Sequence, residues 1–162
     1  MILITKYFQD FQKKKEKGLA CILVQGGDHD STHSADISYA NLLPLLFKLN
    51  AGNFYLEYAG EKDKRSVLLS IKENLRPDQH VFIGVTNVLN PGIETPEEIR
   101  DTILEAAEII PVEQLGATDD CGFPPFADDT STSRDTAFSK IASRIKGTRR
   151  AEEALNKKQI AV

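Results

Sequence analysis

Four short apolar segments, each followed by a stretch with helical spacing, divide most of the chain. The apolar segments predict strands, because unbroken apolar runs are typical of parallel strands covered on both faces. A strand-then-helix alternation predicts an α/β fold whose parallel sheet is joined by right-handed crossovers. The predicted strands are 19–24, 53–58, 80–85 and a weaker one at 114–118.

The segments between these strands carry apolar residues three and four positions apart, which indicates amphipathic helices. They are 39–49, 65–75, a helix that runs from position 96 to a stop at Pro111, and a last helix that begins near Ser133. The third has the clearest start, because Thr95 and Glu98 form a capping box. A further helix is predicted at 7–17. The apolar positions of the last helix are Phe138, Ile141, Ile145 and Ala151.

Composition narrows the class of protein. The chain has 162 residues, 41% hydrophobic and 27% charged, which excludes a disordered chain. Its 20 basic and 24 acidic residues give a net charge of -4, whereas nucleic-acid binders usually carry a basic excess. No apolar run approaches the roughly 20 residues that a membrane span needs, and the start lacks the pattern of a secretory signal. We therefore expect a cytoplasmic protein that binds neither nucleic acid nor membrane.

Two architectures fit the predicted units: a small open α/β sheet, or part of a (β/α)8 barrel. A whole barrel takes about 250 residues, so this chain has room for half of one. Since no linker rich in Pro, Gly or Ser divides it, we expect one structural unit over 1–162. Its N-terminal helix would lie within 1–18 and a tail would occupy 156–162.

Ligands of parallel α/β folds bind at the carboxyl ends of the strands, and polar residues concentrate there in this sequence. They occupy 25–36, Glu57, 86–91 and 119–123. Several have simpler interpretations: Gly26-Gly27 fits a turn, and Asp28 and His33 fit a polar loop that caps the next helix. No phosphate-binding glycine loop and no Gly-x-Ser-x-Gly elbow occurs.

Glu57 and Cys121 are the less ordinary residues of this set. A carboxylate inside an apolar strand needs a partner, because burying it alone is costly. Cys121 follows Asp119 and Asp120, and nearby carboxylates raise the pKa of a thiol unless a metal binds the thiolate. One Cys, one Glu and one or two His at the same end of a barrel are a ligand set suited to zinc.

Most of the sequence, from about position 26 to 155, resembles the C-terminal catalytic half of the cobalamin-independent methionine synthase family. That family belongs to a superfamily of (β/α)8 barrels with uroporphyrinogen decarboxylase and epoxyalkane:coenzyme M transferase. The resemblance implies that the four predicted units are the last four of such a barrel, a half-barrel. The matching segments are GGDHDSTHSADISYANLLPLLF (26–47), NFYLEYAGEKDK (53–64), VFIGVTNVLNPGIETPEEIRDTILEAAEIIP (81–111) and LGATDDCGFPPFADDTSTSRDTAFSKI (115–141).

The resemblance implies a zinc-dependent transfer of a methyl or alkyl group to a thiol, as in methionine biosynthesis. In the family, zinc lowers the pKa of the substrate thiol, and the thiolate attacks the methyl group of a methylated folate. The family binds zinc through a His-x-Cys pair, a Glu and a second Cys. Glu57, in LEY, matches the Glu ligand, and Cys121, in DCG, matches the second Cys.

The His-x-Cys pair is where this sequence departs from the family. One register aligns His33 with the family's His and Ala35 with its Cys. The other register places the pair at the end of the first strand, at Ile22 and Val24, which cannot bind metal. A His that some methionine synthases carry after the third strand is Leu89 here. The predicted metal ligands are therefore Glu57, Cys121 and His33.

Three hypotheses follow, and the sequence leaves open whether the chain is an enzyme. The first is a zinc-dependent transferase that acts on a small thiol with a folate-type donor. A half-barrel leaves two strand edges open, so a second copy or a partner chain would complete it. The second is a truncated or degenerate relative without catalysis. The third is a metal-free relative like the decarboxylases that uses Asp28 and His33, which is analogy from fold alone.

Overall fold

Four parallel strands form one sheet in the order β1-β2-β3-β4. The computed structural model describes residues 21–24, 39–120, 123 and 132–160. The strands are β1 (Cys21–Val24), β2 (Asn53–Leu56), β3 (His80–Gly84) and β4 (Leu115–Thr118). Each pairs in parallel with the next strand along the chain, which confirms the predicted α/β class with a parallel sheet. The helix predicted at 7–17 lies outside the described residues.

The helices follow the strands as the periodicity predicts, with different ends. They are α1 (Tyr39–Leu46), α2 (Lys64–Asn74), α3 (Pro96–Ala107) and α4 (Arg134–Ile160), and a 3-10 turn at Val112–Gln114 precedes β4. The predicted capping box at the start of α3 is confirmed, because Glu98 N–H donates to Thr95 Oγ1 and Thr95 N–H donates to Glu98. Helix α4 continues to Ile160, into the segment 156–162 that the sequence predicted as a tail. No helix among the described residues is long and apolar enough to cross a membrane.

The core lies between one face of the sheet and helices α1 to α3. On the opposite face, Tyr55 and Phe82 are only partly buried and stack with ring centroids 4.6 Å apart. The described strands are therefore not covered equally on both faces, unlike the expectation from their apolar runs. The residues that build the core include Phe54, Leu56, Val81, Ile83, Val67, Leu68, Ile71, Ile99, Ile103 and Ala106.

Helix α4 packs on α3 through small and polar residues rather than through its bulky apolar ones. A methyl group at Gly147 would lie 2.6 Å from Ile99 Cβ, so the two helices approach too closely for larger side chains there. Phe138 and Ile145, which the spacing placed on the apolar side of the helix, are 59% and 41% exposed. The buried positions of α4 are Lys140, Ser143, Gly147, Thr148 and Ala151.

Candidate functional site

The carboxyl ends of β2, β3 and β4 bring polar side chains of three separate segments together. Glu57 directly follows β2, Thr86 follows β3, and Asp119 and Asp120 follow β4. Backbone bonds tie the last two ends to each other, because Asp120 N–H donates to Thr86 O (3.0 Å) and Val85 N–H donates to Thr118 O (2.9 Å). The concentration of polar residues expected at this end of the sheet is present.

Glu57 lies just beyond the last residue pair of the β2 ladder and is 9% exposed. It stands between the buried residues Leu56 and Tyr58. The structure therefore places a buried carboxylate at the strand end, where the sequence predicted a functional one.

Asp120 connects the end of β4 to the turn after β2, a role that the sequence analysis did not predict. Its side chain is 3% exposed, and one oxygen accepts from Tyr58 N–H (2.9 Å) and Ala59 N–H (3.1 Å). The other oxygen accepts from Gly60 N–H at 3.0 Å. Three successive amides thus form an anion-binding concavity that Asp120 fills. The turn after β2 is bound to the end of β4 through this carboxylate.

Gly84, at the end of β3, makes room for the Asp120 side chain. Since β3 lies between β2 and β4, the carboxylate must pass the end of β3 to reach the turn. A methyl group at Gly84 would lie only 1.7 Å from Asp120 Oδ1. A glycine at the end of a middle strand, read together with the Asp, is the sequence signal that could have revealed this contact.

A buried ion pair holds the loop between β3 and α3. Lys140 of α4 is 0% exposed, and its Nζ donates to Glu94 Oε2 (2.9 Å) and to Asn87 O (3.1 Å). Glu94 also accepts from Asn87 N–H at 3.0 Å, and this hydrogen bond links the beginning of the loop to its end. Nearby, Arg144 Nε donates to Asp119 Oδ1 at 2.8 Å. Helix α4 therefore anchors the segments that follow both β3 and β4.

Of the three predicted metal ligands, the structure describes Glu57 alone. Cys121 and His33 lie outside the described residues, as do Asp28 and Ala35. Cys121 is the next residue in the chain after Asp120. Within the part of the chain that the structure describes, no group of three His, Cys, Asp or Glu side chains is placed to hold a metal ion.

Strand β1 bears on the departure from the family's His-x-Cys pair. Ile22 and Val24 occupy β1 in register with Phe54 and Leu56 of β2. Val24 is the last β1 residue in the ladder, one strand away from Glu57. Two residues that cannot bind metal therefore stand near the end of the strand beside the Glu57 strand.

Comparison with known proteins gives consistent matches. A family model described as the catalytic domain of cobalamin-independent synthase matches residues 7–141. The methionine synthase of Sulfurisphaera tokodaii is 29% identical over 120 residues, which cover 74% of this chain and 32% of that protein. The methionine synthase of Methanothermobacter thermautotrophicus is 30% identical over 105 residues, 65% of this chain and 31% of that protein. The chain thus spans about a third of the length of these curated relatives.

A solved structure is similar as well: a B12-independent methionine synthase from Shewanella sp. W3-18-1 in complex with selenomethionine. The TM-score is 0.63 at 19% sequence identity, and the match covers 97% of this chain and 46% of that chain. This likeness establishes the fold, while the assignment to the last four units of a barrel stays a prediction. Because the family model covers most of the sequence, the chain belongs to the family of the cobalamin-independent synthase catalytic domain.

Proposed function

We propose that this chain contributes to a methionine-synthase-type enzyme that transfers a methyl or alkyl group to a thiol. The observation that carries the proposal is the buried Glu57, held at the carboxyl end of β2 by the contact of Asp120 with the next three amides. Cys121 follows Asp120 in the chain, so two of the three proposed ligands, Glu57 and Cys121, are each one residue away from this contact. The relatives named methionine synthase support the same reaction class.

The donor set of Glu57, Cys121 and His33 fits zinc. Carboxylate oxygen, thiolate sulfur and imidazole nitrogen are all zinc ligands, and three protein ligands that leave one position open are typical of catalytic sites. The open position would accept the substrate thiol. A Glu fixed by its backbone on both sides, by the β2 ladder and by Asp120, meets the need for a rigid ligand.

The proposed reaction forms one carbon–sulfur bond as the bond between the transferred carbon and its donor breaks. The proton that the thiol loses balances the one that the demethylated donor gains. Bound zinc supplies a lowered pKa for the thiol, so that the thiolate is available at neutral pH. Glu57, Cys121 and His33 would hold the metal, and the loop fastened by Lys140 borders the same end of the sheet as Glu57. A homocysteine-like thiol and a methylated folate are the proposed substrates.

Further chain is needed for a complete pocket, because this sequence spans about a third of its curated relatives. We propose that a second copy or a separate partner chain supplies it. Such a partner would also cover the open edges of the sheet.

A specific observation favours a second candidate, a relative that no longer catalyses. Ile22 and Val24 stand in β1, and one of the two registers aligns them with the family's His-x-Cys pair. If that register is the correct one, His33 does not replace the lost pair and the donor set falls to Glu57 and Cys121. Two ligands would not retain zinc tightly, because structural and catalytic zinc sites use three or four.

The test is zinc content by elemental analysis, on protein whose assembly state is measured by size-exclusion chromatography with light scattering. We expect about one zinc per chain in a defined oligomer. Glu57→Gln and Cys121→Ser should each lower zinc affinity sharply, because each removes an anionic ligand. Matched controls are Glu108→Gln, at an exposed site at the other end of the sheet, and Cys21→Ser, at the other cysteine of the sequence. Zinc-free wild-type protein would reject the enzyme proposal and support the non-catalytic relative.

A further inference from the structure

The contact between Asp120 and the turn after β2 joins two segments 60 residues apart. Each carboxylate oxygen accepts at least one backbone N–H, and the side chain is 3% exposed. Hydrogen bonds from amides to a carboxylate are about twice as strong as those between neutral groups. The turn at 58–60 is therefore held firmly by a residue that follows another strand, β4.

The turn begins at the residue directly after Glu57, so the contact with Asp120 also restrains the position of Glu57. The β2–β3 ladder ends at the pair Leu56 and Ile83, so Glu57 itself lies past the last pair. Its backbone is fixed on one side by the ladder and on the other by the bond from Tyr58 N–H to Asp120. Loss of that bond would release one of the two restraints on the Glu57 backbone, from which the carboxylate projects.

Gly84 is an independent observation in support of this contact, because the absence of a side chain there leaves space for the Asp120 carboxylate. A methyl group there would lie 1.7 Å from Asp120 Oδ1 and 2.9 Å from its Cγ. A substitution at Gly84 would thus displace the Asp120 carboxylate without changing its charge.

We propose that Asp120 is the positioning residue for Glu57, and that it sets the metal affinity of the site through the turn at 58–60. The proposal rests on the function proposed above, in which Glu57 is a metal ligand. Outer residues that orient metal ligands typically change affinity by about 10- to 100-fold when they are mutated. We expect a loss of that size for Asp120→Asn.

The test uses the full chain and Co²⁺ as the metal probe, followed by its visible absorption. In Asp120→Asn the side-chain NH2 faces backbone N–H groups that need an acceptor, so the turn should loosen. The matched control is Asp78→Asn, which makes the same charge change at an exposed ion pair with Arg76, at the amino end of the sheet. Only Asp120→Asn should weaken Co²⁺ binding by about 10- to 100-fold.

A double-mutant cycle separates positioning from general structural damage. If Asp120 acts through Glu57, the double variant of Asp120→Asn and Glu57→Gln should bind Co²⁺ no more weakly than Glu57→Gln alone. Independent losses that add would overturn the proposal.

A metal-free measurement keeps the inference separate from the proposed function. The carboxyl ¹³C resonance of Glu57, identified by its absence in Glu57→Gln, should shift or broaden in Asp120→Asn and stay unchanged in Asp78→Asn. An unchanged resonance in Asp120→Asn would overturn the positioning role, even if the wild type binds metal. Wild-type protein that binds no Co²⁺ would reject the proposed function, and the resonance alone would then decide the positioning role.

Gly84→Ala is the second variant, in case Asp120→Asn does not fold. It should give the same changes in Co²⁺ affinity and in the Glu57 resonance, because the added methyl group displaces Asp120. The matched control is Gly52→Ala, where a methyl group would meet nothing within 4 Å. Wild-type behaviour of Gly84→Ala in both measurements would contradict the proposal.

Discussion

Different kinds of side chain stabilise the amino end and the carboxyl end of the sheet. At the amino end, side-chain amides bind backbone carbonyls: Gln79 Nε2 donates to Phe47 O (3.1 Å) and Ala51 O (3.2 Å), and Gln114 Nε2 donates to Arg76 O (2.7 Å). The one charged group described in this set, the guanidinium of Arg76, donates to Phe47 O and Leu49 O but is 38% exposed. At the carboxyl end, buried charged groups bind the loops. Asp120 and the pair of Lys140 with Glu94 are the main ones.

The difference shows that structural support and candidate chemistry are divided between the ends. A neutral amide satisfies a buried carbonyl without bringing a charge into the interior, so it serves stability alone. Burial of a charge lowers the stability of the fold unless its partners are well placed. The buried charges at the carboxyl end therefore fix the loops there at a cost in stability. In parallel α/β folds the carboxyl end is the one that binds ligands.

Lys140→Met should have the largest effect on stability. It removes the cation from Glu94 and the donor from Asn87 O, and leaves a mostly buried carboxylate uncompensated. Removal of one partner from a buried pair typically costs about 3–5 kcal/mol. The free energy of unfolding, measured by urea titration, should fall by about that amount.

The matched control for Lys140→Met is Arg150→Met. Arg150 also belongs to α4 and pairs with Glu97 at the start of α3, but both side chains of that pair are exposed. Exposed pairs contribute little, so this variant should unfold at nearly the wild-type urea concentration. Equal losses of unfolding free energy in the two variants would contradict the view that the pair of Lys140 with Glu94 contributes more because it is buried.

Gln79→Ala should have an intermediate effect, and on stability alone. Gln79 is fully buried, and its removal takes this donor from Ala51 O, whereas Phe47 O keeps Arg76 Nη1 as a donor. Loss of a partner from a buried polar group costs about 1–3 kcal/mol. Urea unfolding should show this loss, while the Co²⁺ affinity of the folded protein should equal that of the wild type.

The neighbouring exposed residue Asp78 provides the control for Gln79→Ala. Asp78→Ala breaks only an exposed ion pair with Arg76, so it should change stability by less than about 0.5 kcal/mol. A fall in Co²⁺ affinity in Gln79→Ala would show that the two ends are coupled, and the proposed division would fail.

The sequence predicted the fold well where the pattern is local. The four strands and the capping box at Thr95 follow from apolar runs and from capping chemistry, and the structure has both. The packing of α4 differs from the prediction, because the spacing places its bulky apolar residues on the packed side. In the structure Gly147 approaches Ile99 of the neighbouring helix closely, whereas Phe138 is exposed.

The candidate site was predictable only in part, for a similar reason. A carboxylate such as Glu57 stands out within an apolar strand, so its residue type is enough to single it out. The role of Asp120 depends on three amides about 60 residues away, and that of Lys140 on a loop about 50 residues away. Gly84 at the end of β3 is the sequence signal for the first of these contacts, and it is a weak one; nothing comparable points to the second. The polar amino end, with Gln79 and Gln114, is not among the sequence predictions.

Tyr58→Phe should have the smallest effect at neutral pH and a distinct one in alkali. Tyr58 Oη is buried without a hydrogen-bond partner among the described residues, so its loss should leave stability at pH 7 equal to or slightly above that of the wild type. Burial, and secondarily the charge of Glu105, raises the pKa of Tyr58 from 10.0 to about 12. The folded protein therefore holds this proton more tightly than the unfolded chain, and wild-type stability should fall as pH rises from 10 towards 12.

Urea unfolding at pH 7 and pH 11 should show a smaller alkaline loss of stability in Tyr58→Phe than in the wild type. The control Tyr55→Phe, at a partly exposed site, should match the wild type. Equal alkaline losses in Tyr58→Phe and wild type would show that Tyr58 ionises without hindrance, and that burial at the carboxyl end does not penalise a new charge there.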